Sequence, residues 1–206
     1  RKPIQSLAST SSNPCYAPSM RHGFLLIDKP AGFTSHDVVA VVRKALGERS
    51  IGHLGTLDPA ATGLLVLAVG KKALKVVHLF NELRKEYIAD VTLGAMSPTY
   101  DREGVITQSP HRMGWMVPEQ AIVQRTIADR FIGKIQQVPP SYSAINIGGK
   151  RAYDLARQGK EVQMQSREVE IERCDILSFN FPDLQLLVNC GSGTYIRSLA
   201  HDLGTL

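Results

Sequence analysis

Cysteine is scarce in this chain: there are three among 206 residues, Cys15, Cys174 and Cys190, with no pair at Cys-x-x-Cys spacing. That excludes a disulfide framework and the usual zinc ligand sets, and it fits a reducing, cytoplasmic setting. Aromatic residues are few, at 6%. Wholly aliphatic runs are short as well; the longest, Leu64 to Val69, is far below the ~20 residues that cross a bilayer, which excludes a membrane-spanning helix. The chain contains no His-Glu-x-x-His and no aspartate cluster at calcium-loop spacing, so no metal site is expected. Nor is there a Gly-x-x-x-x-Gly-Lys-Ser/Thr phosphate loop, and Gly148-Gly149-Lys150 lies outside a strand-to-helix context. What is present suffices for a core: 43% hydrophobic and 21% charged residues exclude global disorder, and the length suits one large domain. Lysine and arginine outnumber aspartate and glutamate by 24 to 19, a net charge of +5 that favours a polyanionic partner.

Along the chain, residues 1–19 are rich in serine and lack an apolar signal core, so they read as a disordered lead-in with Met20 as the start. Gly23 to Asp28 reads as a strand stopped by Lys29-Pro30-Ala31-Gly32. A helix should follow, capped by Thr34 or Ser35 with Asp37 completing a capping box, apolar at Val38, Val39, Val41, Val42 and Leu46, and ended by Gly47. A glycine-rich loop from Gly52 to Gly63 precedes a buried strand over 64–69 and a helix over 73–83. The strand over 86–93 alternates, placing Tyr87, Ala89, Val91 and Leu93 on one face. Gly94 to Gly104 reads as a polar loop, 118–132 as an amphipathic helix, 136–149 as a proline-interrupted loop and 151–158 as a short helix. Strands are expected over 169–179 and 184–190, followed by a closing helix capped by Thr194. Irregular alternation with hairpin-compatible neighbours gives a mixed α/β class, with a largely antiparallel sheet flanked by helices and loops.

The densest unusual segment is Gly52-His53-Leu54-Gly55-Thr56-Leu57-Asp58-Pro59, continued by Ala61-Thr62-Gly63. Its glycines allow close approach, and the stiff Asp-Pro bond restricts the backbone beside the carboxylate, so the loop can present one rigid acid. Asp-Pro is equally a common turn initiator, and residue type alone does not choose. Tyr87 could stack on a flat partner or serve as an ordinary strand core residue. Arg197 falls at a helix start, where the dipole is unfavourable to a cation. Either an acidic or phosphate partner justifies it there, or it is a solvated surface arginine.

Five segments occur in a recognisable order: Lys29-Pro30-x-Gly32-x-Thr34-Ser35-His36, GHLGTLDPAATGLL, Lys85-Glu86-Tyr87, QVPPSYSA with GKRAYDLARQG, and GTYIRSLAHDLG. Together they resemble the motifs of the TruB family of tRNA pseudouridine synthases, from about Gly23 to the last residue. The resemblance implies an isomerase that flips uridine 55 out of the tRNA T loop and converts it to pseudouridine, with Asp58 as catalytic carboxylate and neither metal nor organic cofactor. It implies that Tyr87 stacks on the base and is a candidate for taking the C5 proton, and that Arg197 pairs with the catalytic carboxylate. His53, with Gly52 and Thr56, would contact the RNA, while Lys29, Pro30 and Tyr195 would support the site. The implied partner is tRNA, through its T loop and stem, and the implied enzyme is a cytoplasmic monomer.

Three departures stand out. Ser97-Pro98-Thr99 replaces the family's threonine-aspartate-threonine, and Asn146 stands where lysine is common. The chain also stops at Leu206, where members continue, so residues 20–206 are expected to be a catalytic domain incomplete at its C-terminal end and without an accessory RNA-binding domain. Two other functions compete: a guide-RNA-dependent relative sharing the aspartate loop, and a non-catalytic tRNA-folding module.

Overall fold

The computed structural model describes residues 22–80, 82–108, 116–159 and 162–206. The lead-in expected over residues 1–19, and Cys15 within it, lie outside the described residues. Two compact units are formed, one up to Phe80 and one continuing to Leu206.

The first unit is built on a three-stranded antiparallel sheet in the order β1-β3-β2, with β1 at Gly23–Lys29, β2 at Ile51–Leu54 and β3 at Gly63–Val69. Helix α1, Ser35–Leu46, follows β1 after the Pro30–Gly32 turn. The Thr34 hydroxyl accepts from the Asp37 N–H at 3.1 Å while the Asp37 carboxylate accepts from the Thr34 N–H at 2.9 Å, the expected capping box. Gly47 closes the helix with φ +62°, a left-handed conformation open to glycine. Val38 and Val39 of α1 bury against Ile51, Leu65, Leu67 and Val69 of the sheet. Each such aliphatic burial contributes roughly 1.5–3 kcal/mol, enough to fix the register of the helix on the strands.

Two expectations fail in this unit. The glycine-rich stretch from Gly52 begins as a strand, because β2 pairs Gly52 with Ala68 and His53 with Leu67. The helix expected over 73–83 is shorter and earlier: α2 spans Gly70–Lys75 and gives way to a 3₁₀ turn at Val77–Phe80. The β-branched pair Val76-Val77 disfavours continuation, and the Val76 N–H already bonds the Ala73 carbonyl three residues back.

The second unit carries a four-stranded antiparallel sheet in the order β4-β11-β10-β7: β4 Lys85–Thr92, β7 Gly133–Gln137, β10 Arg167–Asn180 and β11 Asp183–Cys190. Strand alternation places Ala89, Val91, Leu184, Leu186, Val188 and Cys190 on one buried face. Helices α3, Gln120–Arg130, and α5, Ile196–Thr205, add Val123, Ile127, Leu199 and Leu203 to the same core. Cys174 and Cys190 are buried and free within it, as fillers. Small hairpins complete the unit: β5 Ala95–Met96 with β6 Thr107–Gln108, and β8 Asn146–Ile147 with β9 Lys150–Arg151, the latter leading into α4, Ala152–Arg157. The stretches read as loops over 94–104 and 136–149 therefore contain short strands. Thr194 is not the cap of α5. Its hydroxyl donates to the Gly191 carbonyl at 3.0 Å, closing the turn after β11, and the helix starts after Tyr195. Every strand pair among the described residues is antiparallel, and none of their helices is long and apolar enough to cross a membrane.

Candidate active site

In the first unit the aspartate loop is held from both sides of Asp58. On one side the buried Ser35 hydroxyl donates to the Leu57 carbonyl at 3.1 Å and accepts from the Leu57 N–H at 3.0 Å. On the other side the Pro59 carbonyl accepts from the Gly32 N–H at 2.8 Å and from the Lys29 ammonium at 3.3 Å. A turn across Asp58 is closed by the Ala61 N–H donating to the Asp58 carbonyl at 3.0 Å. Fixing the residues before and after the aspartate fixes its Cα, so the direction of the carboxylate is set by side-chain rotation alone. An acid presented in this way is suited to repeated attack at one geometry.

Lys29 is 0% exposed, at the end of β1, and its ammonium also donates to the carbonyls of Pro30 and Phe33 at 3.1 and 2.7 Å. A buried cation is tolerated only when its donors are used, and three carbonyls supply that here. Pro30 thus joins the support through its carbonyl. The family resemblance pointed to Lys29 but gave no role to Ser35, whose partner lies 22 residues away.

His53 lies in β2, and the Gly55 carbonyl, an obligate acceptor, takes a hydrogen bond of 2.9 Å from its Nδ1–H. That fixes the tautomer and leaves Nε2 as an acceptor. The His36 ring stands edge-on to it, with centroids 5.2 Å apart. Burial lowers the His53 pKa below the ordinary value; the Gly55 carbonyl opposes the shift and the neighbouring His36 adds to it. Gly52 sits where a Cβ would come within 3.1 Å of the Leu74 side chain, so glycine allows α2 to pack against β2. Thr56 is exposed in the loop.

In the second unit Tyr87 is half-buried on β4, opposite Val188, and its ring packs beside the core. Arg197 is the second residue of α5. Its guanidinium donates to the Thr99 carbonyl at 3.0 Å and the Tyr142 carbonyl at 3.1 Å, and pairs with the Asp101 carboxylate at 3.4 Å. With side-chain exposures of 14% and 19%, neither partner of that pair is an ordinary solvated charge, so Arg197 is not the surface arginine its residue type allowed. An unfavourable cation at a helix start is thereby offset by a carboxylate and two carbonyl dipoles.

The start of α5 is itself anchored. The buried Gln137 amide donates to the Tyr195 carbonyl at 3.0 Å and accepts from the Tyr195 N–H at 2.8 Å, and the buried Ser198 hydroxyl donates to the Val138 carbonyl at 2.7 Å. Tyr195 therefore serves through its backbone, and Gln137 escaped the sequence reading because its partner is 58 residues distant. Asp101 was missed as well, although it sits inside the Ser97-Pro98-Thr99 segment's continuation and could have been sought as the acid that Arg197 requires. Among the described residues no group of three or more His, Cys, Asp or Glu side chains is placed to hold a metal ion.

Residues 43–196 match the family model described as TruB family pseudouridylate synthase (N terminal domain). The tRNA pseudouridine synthase B of Trichormus variabilis is 46% identical over 187 residues, covering 89% of this chain and 62% of that protein. The protein of the same name from Syntrophomonas wolfei is 47% identical over 189 residues, covering 89% of this chain and 61% of its own length. The chain thus spans about three-fifths of these relatives. Among solved structures, one of a Cbf5-Nop10-Gar1 complex superposes with a TM-score of 0.63 at 31% identity, covering 95% of this chain and 50% of that one. With the family model matching most of its length, and with the aspartate loop inside the matched span, this chain belongs to the TruB family of pseudouridylate synthases.

Proposed function

We propose that this chain is the catalytic portion of a tRNA pseudouridine synthase acting on uridine 55 of the T loop. The observation that carries the proposal is the two-sided anchoring of Asp58 by Ser35 at Leu57 and by Lys29 and Gly32 at Pro59. The names of the relatives supply the substrate class.

The reaction is an isomerisation with no net gain or loss of atoms. The N1–C1′ bond breaks, the uracil turns in its pocket, C5 bonds to C1′, the C5 proton leaves and N1 takes one up. One ionised carboxylate suffices to start it, by attack at C1′, by assisting deprotonation at C2′, or by addition at C6 of the base. In this reading Asp58 is that carboxylate, Arg197 keeps it ionised and oriented, and Tyr87 stacks on the base and receives the C5 proton. The uridine must first be flipped from the folded loop at a cost of a few kcal/mol. His53, Gly52 and Thr56 contact the rearranged RNA, and the net positive charge of the chain contributes phosphate contacts whose strength falls with salt. The enzyme acts as a cytoplasmic monomer and uses no metal or organic cofactor.

The likeness to a Cbf5-containing complex motivates a second reading, a synthase that works only with a guide RNA and partner proteins. Release of tritium from a naked tRNA transcript carrying 5-tritiated uridine decides between them. The proposal expects release without guide RNA and its loss in Asp58→Asn. Release only with a guide favours the second reading, and undiminished release by Asp58→Asn overturns both.

A further inference from the structure

Three consecutive residues of the second unit, Thr99, Tyr100 and Asp101, meet two successive turns of one helix. The Thr99 carbonyl and the Asp101 carboxylate hold the Arg197 guanidinium. Tyr100 lies between them in the chain, and its ring stacks on the imidazole of His201 with centroids 3.8 Å apart and planes inclined by 6°. His201 follows Arg197 by four residues on α5, so both side chains leave the same helix face one turn apart. The loop is therefore fastened to α5 at two points, one ionic and one aromatic.

The loop is stiff in itself. The Thr99 hydroxyl donates to Oδ1 of Asp101 at 2.6 Å, the Glu103 N–H donates to the same oxygen at 2.9 Å, and the hydroxyls of Ser97 and Thr99 are 2.9 Å apart. Oδ1 is thus committed to the loop, while Oδ2 faces Arg197. Gly104 packs so tightly across the knot that a Cβ there would fall 2.3 Å from the Ser97 hydroxyl. A loop cross-linked in this way moves against α5 as one body, and a parallel ring stack resists both sliding and tilting of that body. Tyr100 holds φ at +59°, a left-handed conformation that side chains rarely adopt and that persists only where surrounding contacts impose it. Within the loop the Tyr100 N–H donates to the Ser97 carbonyl at 3.0 Å, and from outside the loop the stack on His201 holds the side chain that this backbone presents.

We propose that Tyr100 and His201 are positioning residues: their ring stack docks the 97–104 loop on α5 and so sets the direction of the Arg197 guanidinium without touching substrate. The catalytic consequence rests on the function proposed above. The geometric consequence does not.

Tyr100→Gly tests it cleanly, because glycine keeps the left-handed backbone without strain and removes only the ring. Tyr100→Phe retains the ring, and His201→Ala removes the stack from the helix side should the glycine variant fail to fold. Two readouts are taken on each variant. The first is the nitrogen-15 NMR signal set of the Arg197 guanidinium, assigned with Arg197→Lys. Its Nη signals are expected to be separate in the parent and in Tyr100→Phe, and merged by free rotation in Tyr100→Gly and His201→Ala. Separate signals in both ring-removing variants overturn the proposal, as do merged signals in Tyr100→Phe. The second is tritium release from tRNA, where kcat is expected to fall roughly 10- to 100-fold in the ring-removing variants with KM little changed and with Tyr100→Phe near the parent. Unchanged kcat in Tyr100→Gly overturns the positioning role. A parent that releases no tritium removes the functional reading, and the guanidinium signals then decide the proposal by themselves.

Discussion

The ammonium of Lys29 donates to the carbonyl of Pro59 at 3.3 Å, joining the last residue of the first strand to the residue immediately after Asp58. Its other donors reach Pro30 and Phe33, so one buried cation ties the turn leaving β1 to the aspartate loop.

Lys29→Met should therefore remove the ammonium donor from the carbonyls of Pro30 and Phe33 and leave that of Pro59 with the Gly32 N–H alone. A loss of about 2 kcal/mol or more in unfolding free energy by urea titration is expected, since each orphaned polar group costs about 1–3 kcal/mol. Lys29→Met of unchanged stability would show that the ammonium is dispensable to the loop.

Ser35→Ala removes the hydroxyl that serves both backbone groups of Leu57. A destabilisation of about 1–3 kcal/mol is expected; if the proposed function holds, kcat for tritium release falls by more than any change in KM, because the substitution displaces Asp58 and leaves the residues proposed to contact RNA in place. A change in KM alone would contradict that division.

Gly104→Ala introduces a methyl group within 2.3 Å of the Ser97 hydroxyl and 2.6 Å of that of Thr99. The loop must open, so the melting temperature should drop, and combination with Ser97→Ala should recover part of the loss. Full tolerance of Gly104→Ala would show the loop to be pliant.

His53 gives the protein a pH dependence of definite sign. Its folded-state pKa lies below the ordinary value of 6.5, chiefly through burial, so as pH falls the unfolded chain takes up the proton first. The stability contribution is complete above 6.5 and declines as pH drops through the window beneath it, flattening below the folded-state value. His53→Gln should lessen that decline in urea titrations at pH 7 and pH 5.5; a parent whose stability does not fall between those two pH values would be inconsistent with this assignment.

Burial, with Asp175 and Cys190 adding to it, pushes the Cys174 thiol up to about 11, and burial raises Cys190 as well. Neither thiol should be alkylated at pH 8 in the folded protein, and both should react in urea, as read by peptide mass spectrometry. Rapid modification of either in the native state would mean that the sheet opens locally.

Local patterns were legible because they depend on neighbours in the chain. Thr34 and Asp37 cap one helix over three residues, Gly47 ends it, and the alternation from Tyr87 to Leu93 separates the two faces of β4. The motif order from Lys29 to Arg197 was enough to place the chain in its family, which the match over residues 43–196 bears out. Where the reading failed, a distant partner decided the matter. Gly52 and His53 look like loop residues until β3 pairs with them, and Thr194 looks like a cap until its hydroxyl turns back to Gly191.

By itself, then, the sequence determined the family, the α/β class, helix α1, the strands β1, β3, β4, β10 and β11 though not β2 or β7, and the residues to suspect, because periodicity, capping and motif order are encoded within a few positions of one another. Only the tertiary structure decided that Ser35 and Lys29 hold the loop of Asp58, that Gln137 holds Tyr195, and that Asp101 and Tyr100 meet α5 at Arg197 and His201. Those partners lie from 22 to about 100 residues apart, and a polar group's choice among distant acceptors is settled by the path of the folded chain, which no local pattern records.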